Sequence, residues 1–401
     1  MLKILHTSDW HLGKKLFKRE RHEEQEIFLN TIRQKIKDEN ISILIIAGDI
    51  FDSPIPPTKS LRLFFEFLGF LESDDNSLEH IFAIGGNHDN GALLESPRPF
   101  LNPDFFKIVG TMDHEEYQNY GLVTKEGVLL CGLPFFRPRD LFRLEIPQAP
   151  SFDSLQEDLL YRLQWWLENL KKSFNCPDAP SILIGHHLFG SFQVSGSELG
   201  VGLSGLETLP LSYFSDWDIL ALGHIHKPQC VKKEGPSAYY SGSPYPLRFS
   251  ESNEKKMLLY TWQESEGWSI EWQDIPIIRP LLRLKGTENE LIQMAKDLTP
   301  QGVLSPFVEI TLNEADLSPA KIEELRTHFL EFNFEVINIF SKSELRFEEE
   351  SDHGEHIQNL STEELFQLFL KEYDLAKEEE KNLLDSFTEL QEVLRDSDAL
   401  S

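Results

Sequence analysis

Polar and apolar positions in the first two thirds of the chain follow one repeated pattern: a short run of β-branched or aliphatic residues, a glycine or polar residue, then Asp, Asn or His. It occurs in "LKILHTSDWH", "SILIIAGDIFD", "IFAIGGNHD", "SILIGHH" and "DILALGHIH". Each apolar run has strand length and lacks polar alternation, which predicts strands buried on both faces. Between them, Glu23 to Lys37 and Leu155 to Lys172 carry apolar residues at helical spacing. Strands alternating with helices predict an α/β domain over residues 1–275. In such sheets ligands gather beyond the carboxyl ends of the strands, where all five polar clusters fall.

After about residue 275 the texture changes. "IPIIRPLLRLKG" carries two prolines, and beyond it helical stretches (Asn289 to Leu298, Pro319 to Phe332) alternate with strand-like runs (Phe307 to Leu312, Glu335 to Phe340). This predicts a compact α+β domain over 276–345. In 346–401, "STEELFQLFLKEYDLAKEEEKNLLDSFTELQEVL" reads as two amphipathic helices, the first with a Ser/Thr cap followed by Glu. Two short helices cannot bury their apolar faces alone, so they are expected to pack on the body or on a partner.

Composition narrows the class. In 401 residues, 40% are hydrophobic and 29 are Phe, enough for a sizeable core. The longest apolar stretch, "ISILIIAG", falls far short of the roughly 20 residues of a membrane span. The first residues lack the apolar core of a signal peptide. Cys131, Cys176 and Cys230 form no C-x-x-C, suit a reducing compartment, and are expected to be buried and structural. These features read as cytoplasmic. The net charge of −29 argues against nucleic-acid binding through bulk charge, so a polyanionic substrate would be held by local groups. From Ser341 onward six Lys and Arg face eighteen Asp and Glu, either a solvated acidic tail or a segment that docks on a basic partner.

Taken together, the five clusters offer Asp9 and His11, Asp49 and Asp52, Asn87 with His88 and Asp89, His186, and His224 with His226. Residues two apart in an extended segment project to the same side, so Asp9 with His11, and His224 with His226, can enter one cavity. Imidazoles and carboxylates with an amide oxygen and no thiolate suit Mn, Fe or Zn in a reactive site better than a structural zinc or calcium. The donors are too many for one ion. Two ions sharing a carboxylate would use them, and two adjacent metals clamp the attacking and leaving oxygens of a phosphoryl displacement while lowering the pKa of bound water. The expected chemistry is hydrolysis of a phosphate ester. His187 competes with His186 as donor, with the G-H spacing to "GLETLP" favouring His186, and Asp89 reads as a turn-stabilising carboxylate.

The order D-x-H, G-D-x-x-D, G-N-H-D, G-H, G-H-x-H resembles the calcineurin-like metallophosphoesterase superfamily, a two-sheet sandwich flanked by helices. The words "LHTSDWHLG", "AGDIFD", "PFFRPRD", "ALGHIH" and "GSPYPLRFSE" are similar, more narrowly, to the nuclease D subunits of bacterial SbcCD complexes, relatives of the nuclease in the eukaryotic double-strand-break repair complex. The resemblance implies that Asp9, His11, Asp49 and His226 bind one metal and that Asp49, Asn87, His186 and His224 bind the other, with Asp49 as bridge. It implies that His88 is no ligand and instead steadies transition-state charge or protonates the leaving 3′ oxygen, with the Asp52 carboxylate orienting it. It further implies Mn2+, with Mg2+ as the other candidate, and a 3′–5′ exonuclease on duplex DNA ends that is also an endonuclease on single strands and hairpins, acting in repair, recombination and replication at the nucleoid. Its partner would be the SMC-like ATPase SbcC with two D subunits, a homodimer, docked on the C-terminal helices through Leu365, Phe366, Phe369, Leu383 and Phe387. The domain at 276–345 would be the capping domain that restricts access to the metals.

Candidate DNA contacts are Lys14, Lys15, Lys18, Arg19 and Arg21 after the first motif, Arg137, Arg139 and Arg143 around "FFRPRD", and Lys227 after the histidine pair. Such contacts position a phosphate backbone without reading sequence. With −29 on the chain, DNA binding by this protein alone is expected to be weak and salt-sensitive, the partner supplying affinity. The other enzymatic reading is a phosphoesterase for nucleotides or phosphoproteins.

Overall fold

The computed structural model describes residues 1–341 apart from 74–75, 113–115, 148–149, 153, 191–207, 232–235 and 314–317, together with Phe387. The docking residues expected at Leu365, Phe366, Phe369 and Leu383 lie outside the described residues, and Phe387 is a half-buried helical position. The chain enters as β1 (Leu2–Thr7), makes a small hairpin of β2 (Lys15–Leu16) and β3 (Arg19–Glu20), and passes through α1 (His22–Glu39) into β4 (Ile43–Ala47). It continues through α2 (Thr58–Ser73), β5 (His80–Ile84), α3 (Gly91–Glu95) and β6 (Phe106–Val109). Then come β7 (Gly121–Val123), β8 (Leu129–Leu133), α4 (Pro138–Phe142), α5 (Leu155–Ser173), β9 (Ser181–His186), β10 (Ile219–Gly223), β11 (Gln229–Val231) and β12 (Ser237–Tyr240). A long hairpin of β13 (Lys255–Gln263) and β14 (Gly267–Ile275) closes the larger part.

These strands make two six-stranded sheets, ordered β14-β13-β1-β4-β5-β6 and β11-β12-β10-β9-β8-β7. Strand periodicity decides which residues fill the space between them. Ile43, Ile45 and Ala47 of β4 and Phe82 and Ile84 of β5 join the cluster that includes Cys131, Ile182, Ile184 and Ala221 of the other sheet. The alternate residues Leu44, Ile46, Ile81 and Ala83 face outward, against Phe28 and Ile32 of α1 and Phe64 and Leu68 of α2. Both faces of these strands are covered, as their unbroken apolar composition predicts.

Helix ends follow local chemistry. Ser154 caps α5 by accepting the Glu157 N–H at 3.2 Å, and Glu157 and Asp158 in its first turn with Lys171 and Lys172 in its last complement the helix dipole. Its apolar stripe of Leu159, Leu163, Trp166 and Leu170 covers the second sheet. Helix α1 ends at Asn40, held in the left-handed region with φ 53°.

The remaining elements form a separate unit: β15 (Leu281–Gly286), α6 (Glu288–Asp297), β16 (Phe307–Leu312), α7 (Pro319–Glu331) and β17 (Glu335–Ser341). Expected as α+β, it alternates strand and helix, and its three strands run parallel because each helix supplies the crossover that parallel neighbours need. Leu291, Val308, Ile310, Leu325 and Phe329 give it a core of its own. Among the described residues, no helix is long and apolar enough to cross a membrane. Cys131 is buried in the main core as expected, whereas Cys230 is exposed, because it lies on the edge strand of the second sheet.

Candidate metal centre

Five loops converge because their strands are neighbours. β1, β4 and β5 are adjacent and parallel in one sheet, β9 and β10 are adjacent and parallel in the other, and all five end at the same rim. Past the strand ends, the first two loops stay zipped: the N–H groups of Asp9, His11 and Leu12 donate to the carbonyls of Gly48, Asp49 and Ile50 at 2.9–3.0 Å. Asp9, His11, Asp49 and His224 all have positive φ, at 54°, 44°, 50° and 96°. Such conformations cost on the order of 1–3 kcal/mol each and persist where the surroundings hold them, typically at functional sites. Gly223 explains how close the loops come: a Cβ there would overlap the Ala47 carbonyl and lie 2.8 Å from His186 Nδ1.

The donors form a single cluster, buried except for the half-buried Asn87. Asp49 Oδ2 lies 3.5 Å from His11 Nε2 and 3.3 Å from His186 Nε2, so one carboxylate oxygen stands between two imidazoles from different sheets. On one side His11 Nε2 faces His226 Nε2 at 3.2 Å, and Asp9, His11 and His226 can present their donor atoms to one ion. On the other, Asn87 Oδ1 lies 3.1 Å from His186 Nε2 and 2.9 Å from His224 Nδ1, and Asp9, Asp49 and His186 make a second such group. His224 and His226 therefore fall on opposite sides of Asp49. Asp9 is steadied by the His224 N–H at 2.9 Å and by the Ser8 hydroxyl, which also meets Ser241 Oγ at 2.8 Å. His186 donates Nδ1–H to the Ala47 carbonyl at 2.7 Å, which leaves Nε2 directed at the cluster.

Electrostatics favour a cation here. Burial works to raise the Asp49 carboxyl, but the imidazoles of His186, His11 and His88 outweigh it and hold it well below the usual carboxylate range. Burial opposes protonation of His186, yet the Asp49 carboxylate, helped by Asp9 and the Ala47 carbonyl, raises it to about 9. The negative charge of the Asp49 carboxylate is thus balanced by a proton on His186, a counter-charge that a divalent ion bound there would supply instead. Burial and the neighbouring His186 lower His224 to about 3, so it stays a neutral imidazole, the form that binds metal. Oxygen and imidazole donors in two groups around a shared carboxylate fit two divalent ions.

The surrounding residues resolve or revise several expectations. His186 enters the cluster, while His187 turns away: it is buried against Phe135 and Phe136, with ring centroids 5.0 and 4.2 Å distant, and its Nε2 accepts the Phe136 N–H at 3.3 Å. Asp89 accepts N–H bonds from Ile50, Phe51 and Gly86 at 3.1, 2.9 and 2.9 Å, tying the second and third loops together as a turn-stabilising carboxylate. Burial and the nearby Asp49 raise it to about 6. Asp52 requires correction. Its carboxylate meets His11 Nδ1 at 3.2 Å and Lys14 Nζ at 2.9 Å, while His88 Nδ1 donates to the Asp52 carbonyl oxygen at 2.9 Å. The dyad expected between the two side chains is replaced by a main-chain contact, because the turn after Asp49 presents that carbonyl to the ring.

The basic candidates are less available than the sequence suggests. Lys14 pairs with Asp52, Lys15 with Glu20 at 2.6 Å, Arg19 with Glu335 at 3.3 Å and Arg139 with Asp140 at 3.7 Å. Arg21 is fully buried against Glu24 and is no surface contact at all. Arg137 and Lys227 are exposed. One residue of the centre was not singled out in the sequence: Glu251, whose Oε1 is 3.5 Å from His226 Nδ1 and whose Oε2 takes Lys255 Nζ at 2.6 Å. It closes the word "GSPYPLRFSE", but an acidic residue in a polar loop carries no ligand signature.

Residues 2–228 match the family model of the calcineurin-like phosphoesterases, and 278–373 match the type 5 capsule protein repressor C-terminal domain. The chain is 28% identical to the D subunit of nuclease SbcCD from Escherichia coli K12, over 96% of this chain and 97% of that protein. It is 29% identical to the corresponding SbcCD nuclease protein of Bacillus subtilis 168, over 99% and 100%. Among solved structures, a dimetal phosphatase from Danio rerio is 12% identical with a TM-score of 0.42, covering 68% of this chain and 98% of that one. The matched residues include all five loops of the buried donor cluster, and the chain belongs to the calcineurin-like phosphoesterase family as a metal-dependent phosphodiester hydrolase.

Proposed function

We propose that this chain is the nuclease component of a DNA-processing complex. It acts as a Mn-dependent 3′–5′ exonuclease on duplex ends and as an endonuclease on single strands and hairpins. The observation that carries the metal assignment is Asp49 Oδ2 standing between His11 and His186. Asp9, His11, Asp49 and His226 hold one ion, and Asp49, Asn87, His186 and His224 the other. When bound, two divalent ions supply the charge that polarises the phosphoryl oxygens and a water acidic enough to attack at neutral pH. His88 commits Nδ1–H to the Asp52 carbonyl, so its Nε2 is the nitrogen that carries a proton to the leaving 3′ oxygen. The Asp52 carboxylate orients His11. Arg137 and Lys227, with Lys14, Lys15, Arg19 and Arg139 after exchange of their carboxylate partners, position the phosphate backbone.

Similarity along nearly the whole chain to two SbcCD nuclease proteins supports the DNA substrate and an SMC-like ATPase partner, SbcC, assembled with two copies of this chain in the cytoplasm at the nucleoid. The unit of β15–β17 acts as the capping domain, and residues 362–394 dock the ATPase. The test is an assay of the purified chain, with and without that ATPase, in Mn and then Mg. Its substrates are labelled duplex, hairpin and single-stranded DNA beside a small phosphodiester. DNA cleavage that requires the metal is expected. Turnover of the small diester, with every DNA left intact, would replace this reading by a phosphoesterase for nucleotides or phosphoproteins.

A further inference from the structure

A charged triad is buried where the larger body meets the β15–β17 unit. Arg21, just before α1, is 0% exposed, Glu24 in the first turn of α1 is 0% exposed, and Arg279, in the link before β15, is 7% exposed. Glu24 Oε1 accepts from Arg21 Nε at 3.2 Å and from Arg279 Nε at 2.9 Å, so one carboxylate joins two guanidinium groups. Each arginine is fixed from its own side. Arg21 donates to the Pro246 carbonyl at 2.6 Å and lies 5.0 Å from the Tyr245 ring centroid. Arg279 donates to the Ser305 carbonyl at 2.7 Å, reaches Glu23 at 3.2 Å and lies 4.3 Å from the ring centroid of Phe307, which opens β16.

Both ends of the triad lead to something functional. On the body side, the Tyr245 hydroxyl donates to the Trp10 carbonyl, and Gln25, next to Glu24, donates to the His11 carbonyl at 3.4 Å and accepts the Gly13 N–H at 3.3 Å. Tyr245, which packs on Arg21, and Gln25, the chain neighbour of Glu24, thus both hold the loop that carries His11. On the other side, Leu281, Phe307 and Ile337 pack on Leu16 and Phe249, which sit five residues after His11 and two before Glu251. Leu281 also donates its N–H to Asn253 Oδ1 at 2.8 Å across the same boundary. A buried ionic triad contributes little net stability, because desolvation cancels most of the attraction. Its contribution is direction: the planar guanidinium of Arg279 is bonded at three nitrogens, Nε to Glu24, Nη2 to Glu23 and Nη1 to the Ser305 carbonyl, which fixes an angle where an apolar contact would allow sliding.

We propose that the Arg21–Glu24–Arg279 triad is the seat that sets the β15–β17 unit against the metal cleft, and that its members are positioning residues that determine which form of DNA reaches the metals. The inference rests on the nuclease reading above. Glu24 binds neither substrate nor metal; it acts through the angle between the two parts of the chain. Loss of one partner lets the unit tilt, so a blunt duplex end, which must be guided, loses its advantage over a flexible single strand. A small diester, which enters without touching the unit, is unaffected.

The experiment uses the full chain with Mn, comparing wild type, Glu24→Gln, Arg279→Gln and the conservative Arg279→Lys. In Glu24→Gln and Arg279→Gln, the ratio of duplex-end to single-strand cleavage is expected to fall about tenfold through KM for the duplex, with small-diester kcat and KM within about twofold of wild type. Arg279→Lys restores most of the ratio. Hydrogen exchange at the Leu281 amide is expected to quicken at least about tenfold in the Gln variants, a readout that needs no substrate. An unchanged ratio or unchanged exchange in a folded variant overturns the proposal, as does a parallel loss of small-diester and DNA turnover, which marks a general structural role. If wild type turns over the diester and cuts no DNA, the nuclease reading falls and takes the selection claim with it, while exchange still decides the seat.

Discussion

The His88 ring is held by the backbone of Asp52: Nδ1–H donates to the Asp52 carbonyl oxygen at 2.9 Å, while the Asp52 carboxylate is spent on His11 and Lys14. The two residues can therefore be separated by mutation. His88→Ala should lower kcat by about 10²–10⁴, the range of a lost general acid, with metal content unchanged. Asp52→Asn keeps the carbonyl and should lower kcat by no more than about tenfold to a hundredfold through a less well oriented His11, with weaker metal binding. Metal analysis beside steady-state kinetics separates the two. An empty site in His88→Ala would show that His88 is a ligand after all.

Asp49 stands between the two donor groups, so Asp49→Asn should weaken both ions together, beyond the roughly 10–100-fold that changes to outer partners cost. Calorimetric titration with Mn should show two sites in wild type and neither at comparable concentration in the variant. Retention of one tight site would move the bridge to Asp9, which both donor groups also share.

Glu251 touches His226 and anchors Lys255, with both carboxylate oxygens engaged. Glu251→Gln should reduce affinity at the His226 site by about 10–100-fold, as for other residues that orient a ligand imidazole. The second site should hold its metal, and differential loss in the same titration is the check.

Burial lowers His6 from 6.5 to about 3, the Leu222 backbone opposing. The folded chain keeps this imidazole neutral, bonded to Tyr260 OH at 2.9 Å, whereas the unfolded chain protonates it near 6.5. Its contribution to stability is therefore complete above 6.5 and is lost as pH falls from there toward about 3, at about 1.4 kcal/mol per pH unit. Urea denaturation between about pH 7 and pH 5 should show a steeper decline in wild type than in His6→Leu, and parallel slopes would refute the assignment.

Gly223→Ala should cost about 1–3 kcal/mol and weaken metal binding, since its methyl would drive the Ala47 carbonyl and His186 apart. A shift in the urea midpoint together with lost affinity is expected. A stable variant with full affinity would mean that the two sheets can separate at the rim without disturbing the donors.

Much of this was legible in the chain because it is local. Helix α5 spans Leu155–Ser173 where apolar spacing predicts Leu155 to Lys172, and β16 and β17 begin at the residues that their patterns mark. The donor types and their place after apolar runs also need no tertiary information, since strand length, turn chemistry and ligand preference belong to a few adjacent residues. What a linear reading could not supply is who faces whom. His186 and His187 are chemically identical neighbours, and only the pairing of β9 with β10 and the position of Phe135 and Phe136 send one into the donor cluster and the other into the core. Arg21 reads as one of a run of surface cations until Glu24 and Arg279 bury it, and Glu251 reads as a loop acid until His226 is placed beside it. The sequence by itself determined the elements, the donor set and the class of chemistry. The two sheets decided which donors share an oxygen of Asp49, because contacts between residues far apart in the chain depend on how strands are ordered, and no local preference encodes that order.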